Sequence, residues 1–180
     1  MIEALKSTKW LDLKMVTDPK NGVIDYVYSH EVCCNGKKIV VLPYRITKGN
    51  IEFLLRSEIT PCWNLTKNVI CSITGSVESG EPIDTVLAEL REEAGYITTE
   101  EEIVFLSTMF GIKSSDTTYY IYTIDLSGRE EKSNQDKGIN QTSFCFWTKN
   151  INQSEDPFVY SALIKTLQYC KKKGLKFKVL

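Results

Sequence analysis

The order of hydrophobic and polar residues along this chain predicts many strands and few helices. Stretches of alternating polarity, rich in β-branched and aromatic residues and bounded by turn residues, are typical of half-buried strands. Helical spacing of apolar residues is convincing only at 83–94 and 158–173. This mixture of elements indicates the α+β class. The predicted strands lie at 8–16, 23–34, 38–46, 51–56, 69–74, 103–109, 118–125 and 143–148.

The first predicted helix carries an acidic cluster beside its apolar face. Glu89, Glu92 and Glu93 lie at positions i, i+3 and i+4, so their carboxylates project from one side of the helix. Like charges at this spacing cost about 0.2–0.5 kcal/mol on an exposed helix, so a solvated surface with no further role is the alternative interpretation. The apolar face that predicts the buried side of the helix comprises Ile83, Leu87, Leu90 and Ala94.

Composition and charge narrow the class of protein. The chain has 180 residues, of which 42% are hydrophobic, and this is enough for one domain with a full core or one domain with a small appendage. A formal net charge of -1 provides no overall attraction to nucleic acid or to an anionic membrane, so we expect neither partner. We find no signal peptide, and no run approaches the roughly 20 apolar residues of a membrane span. We therefore expect a soluble, cytoplasmic protein.

The residue types exclude several kinds of catalytic site. His30 is the single histidine. A zinc site with several histidines is therefore excluded, and a Ser/His/Asp or Cys/His arrangement would have to use this residue. The six cysteines form no CxxC pair, and we interpret them as reduced thiols. Carboxylates remain as the natural catalytic groups.

A strand end, a glycine turn and the acidic helix meet at one place in the sequence. Gly75 opens a tight turn after the apolar strand VICSIT, and Glu81 stands six positions later at the start of the helix. Clustered carboxylate oxygens with a nearby backbone carbonyl suit hard cations such as Mg²⁺, which also takes substrate phosphates as ligands.

The stretch from Gly75 to Tyr96 resembles the signature of the Nudix hydrolase family, G-x5-E-x7-R-E-U-x-E-E-x-G-U, where U is aliphatic. Gly75 and Glu81 match its opening, and ELREEAGY at 89–96 matches its end. Two departures are visible: six residues rather than seven follow Glu81, and Ala88 occupies the position of the signature arginine, which in the family orients a glutamate. Outside the signature, FLLRSEITP and DPFVYSALIKTLQYC are similar to the ADP-ribose and nucleotide-sugar pyrophosphatase branch.

This resemblance implies both a fold and a reaction. The fold is a Nudix α/β/α sandwich with a mixed central sheet over residues 35–180, preceded at 1–34 by a β-hairpin extension that builds a homodimer. We expect Trp10, Tyr26 and Tyr28 near that dimer contact. The reaction is hydrolysis of the diphosphate in a nucleoside diphosphate linked to another group, of the ADP-ribose or nucleotide-sugar class, to a nucleoside monophosphate and a phosphorylated product.

The resemblance also assigns roles within the signature. It implies that Gly75, through its carbonyl, and Glu89, Glu92 and Glu93 hold Mg²⁺ or Mn²⁺, and that Glu81 is a further catalytic residue. The general base is left open between Glu89 and the acids of the polar loop at 127–142, which are Glu130, Glu131 and Asp136.

Three residues outside the signature are candidates for substrate binding. Arg56 fits a phosphate, although an arginine at a strand end is as often a surface ion-pair partner. Trp63 fits a stacked base or a core position. Asp116 fits a hydrogen bond to a ribose or sugar, or an ordinary turn before a strand.

Two other functions remain open on the sequence. One is a Nudix enzyme acting on nucleoside triphosphates, dinucleoside polyphosphates or capped RNA. The other is a nucleotide-binding module without catalysis, which Ala88 and the shortened spacer favour and the intact glutamate triad opposes.

Overall fold

The computed structural model describes residues 2–130 and 143–178. Two α-helices occur in these ranges, α1 (Pro82–Glu92) and α2 (Pro157–Lys172), and no helix there is long and apolar enough to cross a membrane. The strands of the described residues are β1 (Ile2–Ser7), β2 (Leu11–Asp18), β3 (Val23–Glu31), β4 (Lys37–Val41), β5 (Tyr44–Thr47), β6 (Asn50–Glu58), β7 (Val69–Cys71), β8 (Ile73–Ser76), β9 (Ile103–Phe110), β10 (Thr118–Ile124) and β11 (Phe144–Thr148).

The central sheet is mixed and has the strand order β8-β4-β10-β9. β10 runs parallel to β4, while β4 with β8 and β10 with β9 are antiparallel. A second sheet has the order β11-β6-β5, and β7 pairs with β6 at its side.

The two helices cover opposite faces of the central sheet. Because successive strand residues point to opposite faces, Ile39 and Val41 of β4 pack with α1, whereas Val40 and Leu42 pack with α2. All four side chains are completely buried. This alternation produces the predicted α/β/α layers.

Helix α1 buries the face that the sequence predicts. Leu90 and Ala94 are completely buried, and Leu87 packs against the same core cluster. Gly95 follows the helix with a φ of 73°, a left-handed conformation that glycine adopts without a Cβ clash and that ends the helix. The opposite side of α1 is therefore available for its acidic residues.

Two predicted strands are each divided in the structure. The predicted strand at 38–46 breaks at Pro43, which has no N–H to donate to a ladder, and the chain passes there from the central sheet to the second sheet. The predicted strand at 69–74 breaks at Ser72, whose N–H and hydroxyl both donate to Asp156 Oδ2 at 2.9 and 2.6 Å. In both places a single residue interrupts the strand.

The N-terminal segment forms three strands rather than a hairpin of two. β1 pairs with β2 and β2 with β3, all antiparallel. The sequence of β1, IEALKS, contains helix formers and a single β-branched residue, so its pattern predicts no strand. Pairing with β2 overrides that local preference. The sheet joins the rest of the chain where Ser29 N–H donates to the Ser114 carbonyl at 2.8 Å.

Candidate active site

Helix α1 and strand β6 bring four charged residues together at the edge of the core. Glu89 lies in the last turn of α1 and Glu93 is the C-cap residue that follows it, while Arg56 and Glu58 project from the same side of β6. Arg56 Nη2 lies 3.0 Å from Glu93 Oε1, and Arg56 Nε donates to Glu58 Oε2 at 2.7 Å. We call these residues, Glu89, Glu93, Arg56 and Glu58, the carboxylate cluster.

The cluster contains more negative charge than its single arginine balances. Burial raises the pKa of Glu93 to about 8, with Arg56 opposing the rise and the Glu89 charge adding to it. Burial also raises the pKa of Glu89 to about 7, together with the charge of Glu92. Glu93 Oε2 is buried and has no hydrogen-bond partner. A buried carboxylate oxygen without a donor is costly and calls for a further cationic or protic group.

Gly75 lies against Glu89, as is required if the two residues belong to one metal site. A Cβ built on Gly75 would lie 2.5 Å from Glu89 Oε1 and 2.8 Å from Thr85 Cγ2, so only glycine permits this approach of β8 to α1. The structure therefore brings together the Gly75 backbone and the Glu89 carboxylate, two parts of the predicted metal site.

Glu92 is more exposed than Glu93 and is paired with a neighbouring arginine in this structure. Its side chain is 53% exposed and pairs with Arg91 at 2.8 Å. Ala88 lies beside Glu89 in the lining of a shallow surface pocket and has no polar side chain to orient a glutamate. Glu93 is instead contacted by the guanidinium of Arg56, from β6.

The carboxylate cluster supplies the negative charge that a cation needs, but its residues are not arranged as a complete set of metal ligands. Within residues 2–130 and 143–178, no three His, Cys, Asp or Glu side chains are close enough to hold a metal ion. The unpartnered Glu93 Oε2 and the adjacent Glu89 nevertheless provide the oxygen donors that Mg²⁺ and Mn²⁺ prefer. The chemistry of these two glutamates fits such a cation, and Glu92 is exposed and paired with Arg91 in this conformation.

The other acids proposed for catalysis are exposed or lie outside the described residues. Glu81 precedes α1, is exposed, and its N–H donates to Asp84 Oδ2 at 3.0 Å, which caps the helix. Glu130 is exposed at the end of the first described range. Glu131 and Asp136 lie outside the described residues. A catalytic role for any of them stays a prediction.

An open apolar pocket of about 710 Å³ lies between the N-terminal sheet and the start of α2. Tyr119 and Phe158 stack on each other in its wall, with ring centroids 4.1 Å apart. Trp63, which is 49% exposed, also lines this pocket, and its contact with substrate stays a prediction. We call this cavity the aromatic pocket. Its aromatic lining residues are Trp10, Trp63, Tyr119 and Phe158.

Two loops connect the aromatic pocket to the carboxylate cluster. The loop that carries Trp63 begins at Glu58, and Trp63 N–H donates to the Thr60 carbonyl at 2.9 Å. The second loop carries Glu155 to the pocket, and its next residue, Asp156, binds Ser72 beside Cys71. Cys71 in turn lies 3.5 Å from Glu58 Oε1. The pocket and the cluster therefore share structural supports.

Asp116 is engaged by His30 in this structure. His30 Nδ1 lies 2.9 Å from Asp116 Oδ2 and 3.1 Å from Oδ1, which ties β3 to the loop before β10. The neighbouring Ser115 lines the aromatic pocket. Contact of Asp116 with a ribose stays a prediction.

Sequence reasoning missed Glu58. The residue stands two positions after Arg56 on β6, and the period of a strand places both on one side of the sheet. This alternation could have indicated from the sequence that Glu58 lies beside Arg56. The sequence gives no equivalent indication that Cys71, fifteen positions from Arg56 along the chain, lies on the neighbouring strand in register with it.

We predict that the metal-free protein loses stability as the pH rises through the range in which Glu89 and Glu93 ionise. Their folded-state pKa values, about 7 and about 8, lie above the ordinary value of 4.5, so the folded protein binds more protons than the unfolded chain. This contribution is complete below the ordinary pKa and is lost as the pH passes the folded pKa values. The Glu93→Gln variant removes one of the two titrating groups.

The measurement is the free energy of unfolding in urea with a chelator present, at about pH 5 and about pH 9. We expect Glu93→Gln to lose less stability than the wild type between these two conditions. Glu52→Gln, which alters another carboxylate of β6, serves as the control. Equal losses in wild type and Glu93→Gln would contradict the prediction.

Comparison with solved structures identifies the fold. The chain matches the crystal structure of an ADP compounds hydrolase with a TM-score of 0.69 over 97% of this chain and 94% of that chain, at 14% sequence identity. No protein-family model matches the chain, and no curated protein matches its sequence. The predicted α+β fold of the Nudix type is confirmed, and at this identity the likeness extends to the fold alone.

Proposed function

We propose that this protein is a cation-dependent hydrolase that cleaves the diphosphate of a nucleoside diphosphate linked to another group, of the ADP-ribose or nucleotide-sugar class. The observation that carries the proposal is the buried, unpartnered oxygen of Glu93 in a cluster that also contains Glu89 and Arg56. The shared fold with an ADP compounds hydrolase is consistent with this reaction.

The site's own residues supply the proton chemistry. Burial raises the pKa of Glu89 to about 7 in the metal-free protein, and a bound cation would lower it, so that Glu89 would be an anion able to accept a proton from water near neutral pH. The close approach of Gly75 fixes one side of Glu89. We therefore assign Glu89 as the general base of the proposed reaction.

Mg²⁺ or Mn²⁺ would be held by Glu89, Glu92 and Glu93 and by the carbonyl of Gly75. To join this set, Glu92 would have to give up its contact with Arg91. When bound, the cation neutralises diphosphate charge and lowers the pKa of an attacking water. The glutamates also repel an anionic diphosphate, so binding of substrate without a cation is unfavourable.

The aromatic pocket is suited to the base or to another ring of the substrate. Stacking on Trp63 and on the Tyr119 and Phe158 pair favours a planar group. In the described part of the chain the pocket lining contains the carboxylates Glu31 and Glu155 and no lysine or arginine. It therefore favours a neutral ring over a phosphate.

A substrate panel tests the proposal. ADP-ribose, a nucleotide sugar, ATP, a dinucleoside polyphosphate and capped RNA are each incubated with Mg²⁺ or Mn²⁺, and the products are separated by chromatography. We expect ADP-ribose or the nucleotide sugar to yield a nucleoside monophosphate and a phosphorylated sugar. Preference for ATP, dinucleoside polyphosphate or capped RNA would replace the substrate class, and binding without any turnover would favour the binding module.

We also propose that the N-terminal sheet mediates a homodimer. Ile2, Leu13, Ile24 and Val27 of this sheet are between 40% and 64% exposed, an unusual apolar surface for a monomer. We predict that Leu13→Glu shifts the protein from dimer to monomer, because the charge would be buried in the contact.

Light scattering at micromolar concentration measures this shift. The control is Ile164→Glu, which places the same charge on an exposed apolar position of α2. A wild type that is already monomeric, or a Leu13→Glu variant that remains dimeric, would contradict the proposal.

A further inference from the structure

The guanidinium of Arg56 is held from two sides by carboxylates. Nε donates to Glu58 Oε2 at 2.7 Å, and Nη2 lies 3.0 Å from Glu93 Oε1. The Arg56 side chain is only 15% exposed. A planar guanidinium with two such bonds is fixed in both position and orientation, which a lysine ammonium cannot reproduce.

Glu58 is itself anchored through its other oxygen. Thr60 Oγ1 and Cys71 Sγ each lie 3.5 Å from Glu58 Oε1. Burial raises the pKa of the Cys71 thiol, so the thiol stays protonated and acts as a donor. A chain of contacts therefore runs from the β6 and β7 edge through Glu58 and Arg56 to Glu93.

The last contact in this chain leaves one oxygen of Glu93 without a partner. Arg56 occupies Oε1, while Oε2 is buried and has no hydrogen bond. We propose that Glu58 and Arg56 are positioning residues that hold Glu93 by one oxygen and present the other to the cation. The inference rests on the cation site of the proposed function and assigns Arg56 to Glu93 rather than to a substrate phosphate.

Binding of Mn²⁺ without any nucleotide tests this assignment by calorimetry. Arg56→Lys keeps the charge and removes the planar donor pair, and Glu58→Ala keeps Arg56 and removes its anchor. We expect the Kd for Mn²⁺ to rise about tenfold or more in each variant, the size of effect seen when a partner of a metal ligand is lost. Turnover should show a lower kcat with little change in the KM for nucleotide at saturating Mn²⁺.

The matched control is a second arginine and glutamate pair, between strands β5 and β6. Arg45 Nε lies 2.6 Å from Glu52 Oε2, and the Arg45 guanidinium lies over the Trp147 ring. Arg45→Lys and Glu52→Ala should leave the Kd for Mn²⁺ unchanged. Melting temperatures of all four variants separate loss of fold from loss of positioning.

Three results would overturn the positioning role. An unchanged Kd for Mn²⁺ with a raised KM for nucleotide would make Arg56 a phosphate ligand. Tighter Mn²⁺ binding in Arg56→Lys would make Arg56 a competitor of the cation, and a wild type that binds no Mn²⁺ would remove the role altogether. If the variants lose Mn²⁺ affinity as expected but the wild type cleaves no ADP compound, the positioning stands and the proposed reaction fails.

Discussion

Glu93→Gln should reduce turnover of ADP-ribose or a nucleotide sugar by about two to three orders of magnitude. The substitution keeps the shape of the side chain and removes one negative charge from the group that would hold the cation. Single groups that stabilise charge in a transition state contribute roughly 3–4 kcal/mol, which corresponds to this loss in rate. The loss should appear in kcat, since the aromatic pocket is untouched.

The fold of Glu93→Gln should survive, and its metal-free melting temperature should stay level or rise. The Glu93 side chain is only 22% exposed, and its burial together with the charges of Glu89 and Glu58 outweighs the attraction of Arg56, so the neutral amide is favoured in the fold. The measurement pairs turnover with Mg²⁺ and the melting temperature with chelator. Full activity in this variant would exclude the carboxylate cluster as the catalytic site.

Glu89→Gln should lower kcat by about 10²–10⁴-fold, the range typical of a lost general base. An amide cannot accept the proton of the attacking water, whereas the ionised carboxylate of Glu89 can. The acid limb of the pH profile of kcat should therefore disappear in the variant. A variant with reduced kcat but an unchanged acid limb would assign the base to another residue.

The control for Glu89→Gln is Glu92→Gln, because Glu92 is exposed and paired with Arg91 in this structure. If Glu92 joins the cation site, its variant should weaken Mn²⁺ binding while it retains the acid limb. The two substitutions thus separate proton transfer from cation binding on the same helix.

Much of the fold follows from local patterns in the sequence. Strand alternation located β4, β9 and β10 because each lies in a sheet with a buried face, and the helical spacing located α1 because one of its faces fills the core. β1 escaped prediction because pairing with β2, rather than its own residues, makes it a strand. Ser72 divides a strand through its bonds to Asp156, a distant residue that a local pattern cannot show, whereas Pro43 divides one through its missing N–H, which the sequence does show.

The site was predictable where its residues share one element. Glu89 and Glu93 are one helical turn apart, and Gly75 precedes them on the adjoining strand. The partner of Glu93 was not predictable, because Arg56 comes from a strand that is far away in the sequence and meets α1 only in the folded chain. The pairing of Glu92 with Arg91 is likewise a contact that the helical spacing alone does not determine.

The central claim is that the carboxylate cluster and a divalent cation together cleave a nucleotide-linked diphosphate. The most direct test is the release of AMP from ADP-ribose, followed by chromatography while Mn²⁺ is added to chelator-treated protein. We predict no AMP without the cation, a saturable rise as Mn²⁺ is added, and no comparable rise in Glu93→Gln. Release of AMP without any cation, or ADP-ribose that binds and stays intact at every Mn²⁺ concentration, would contradict the claim.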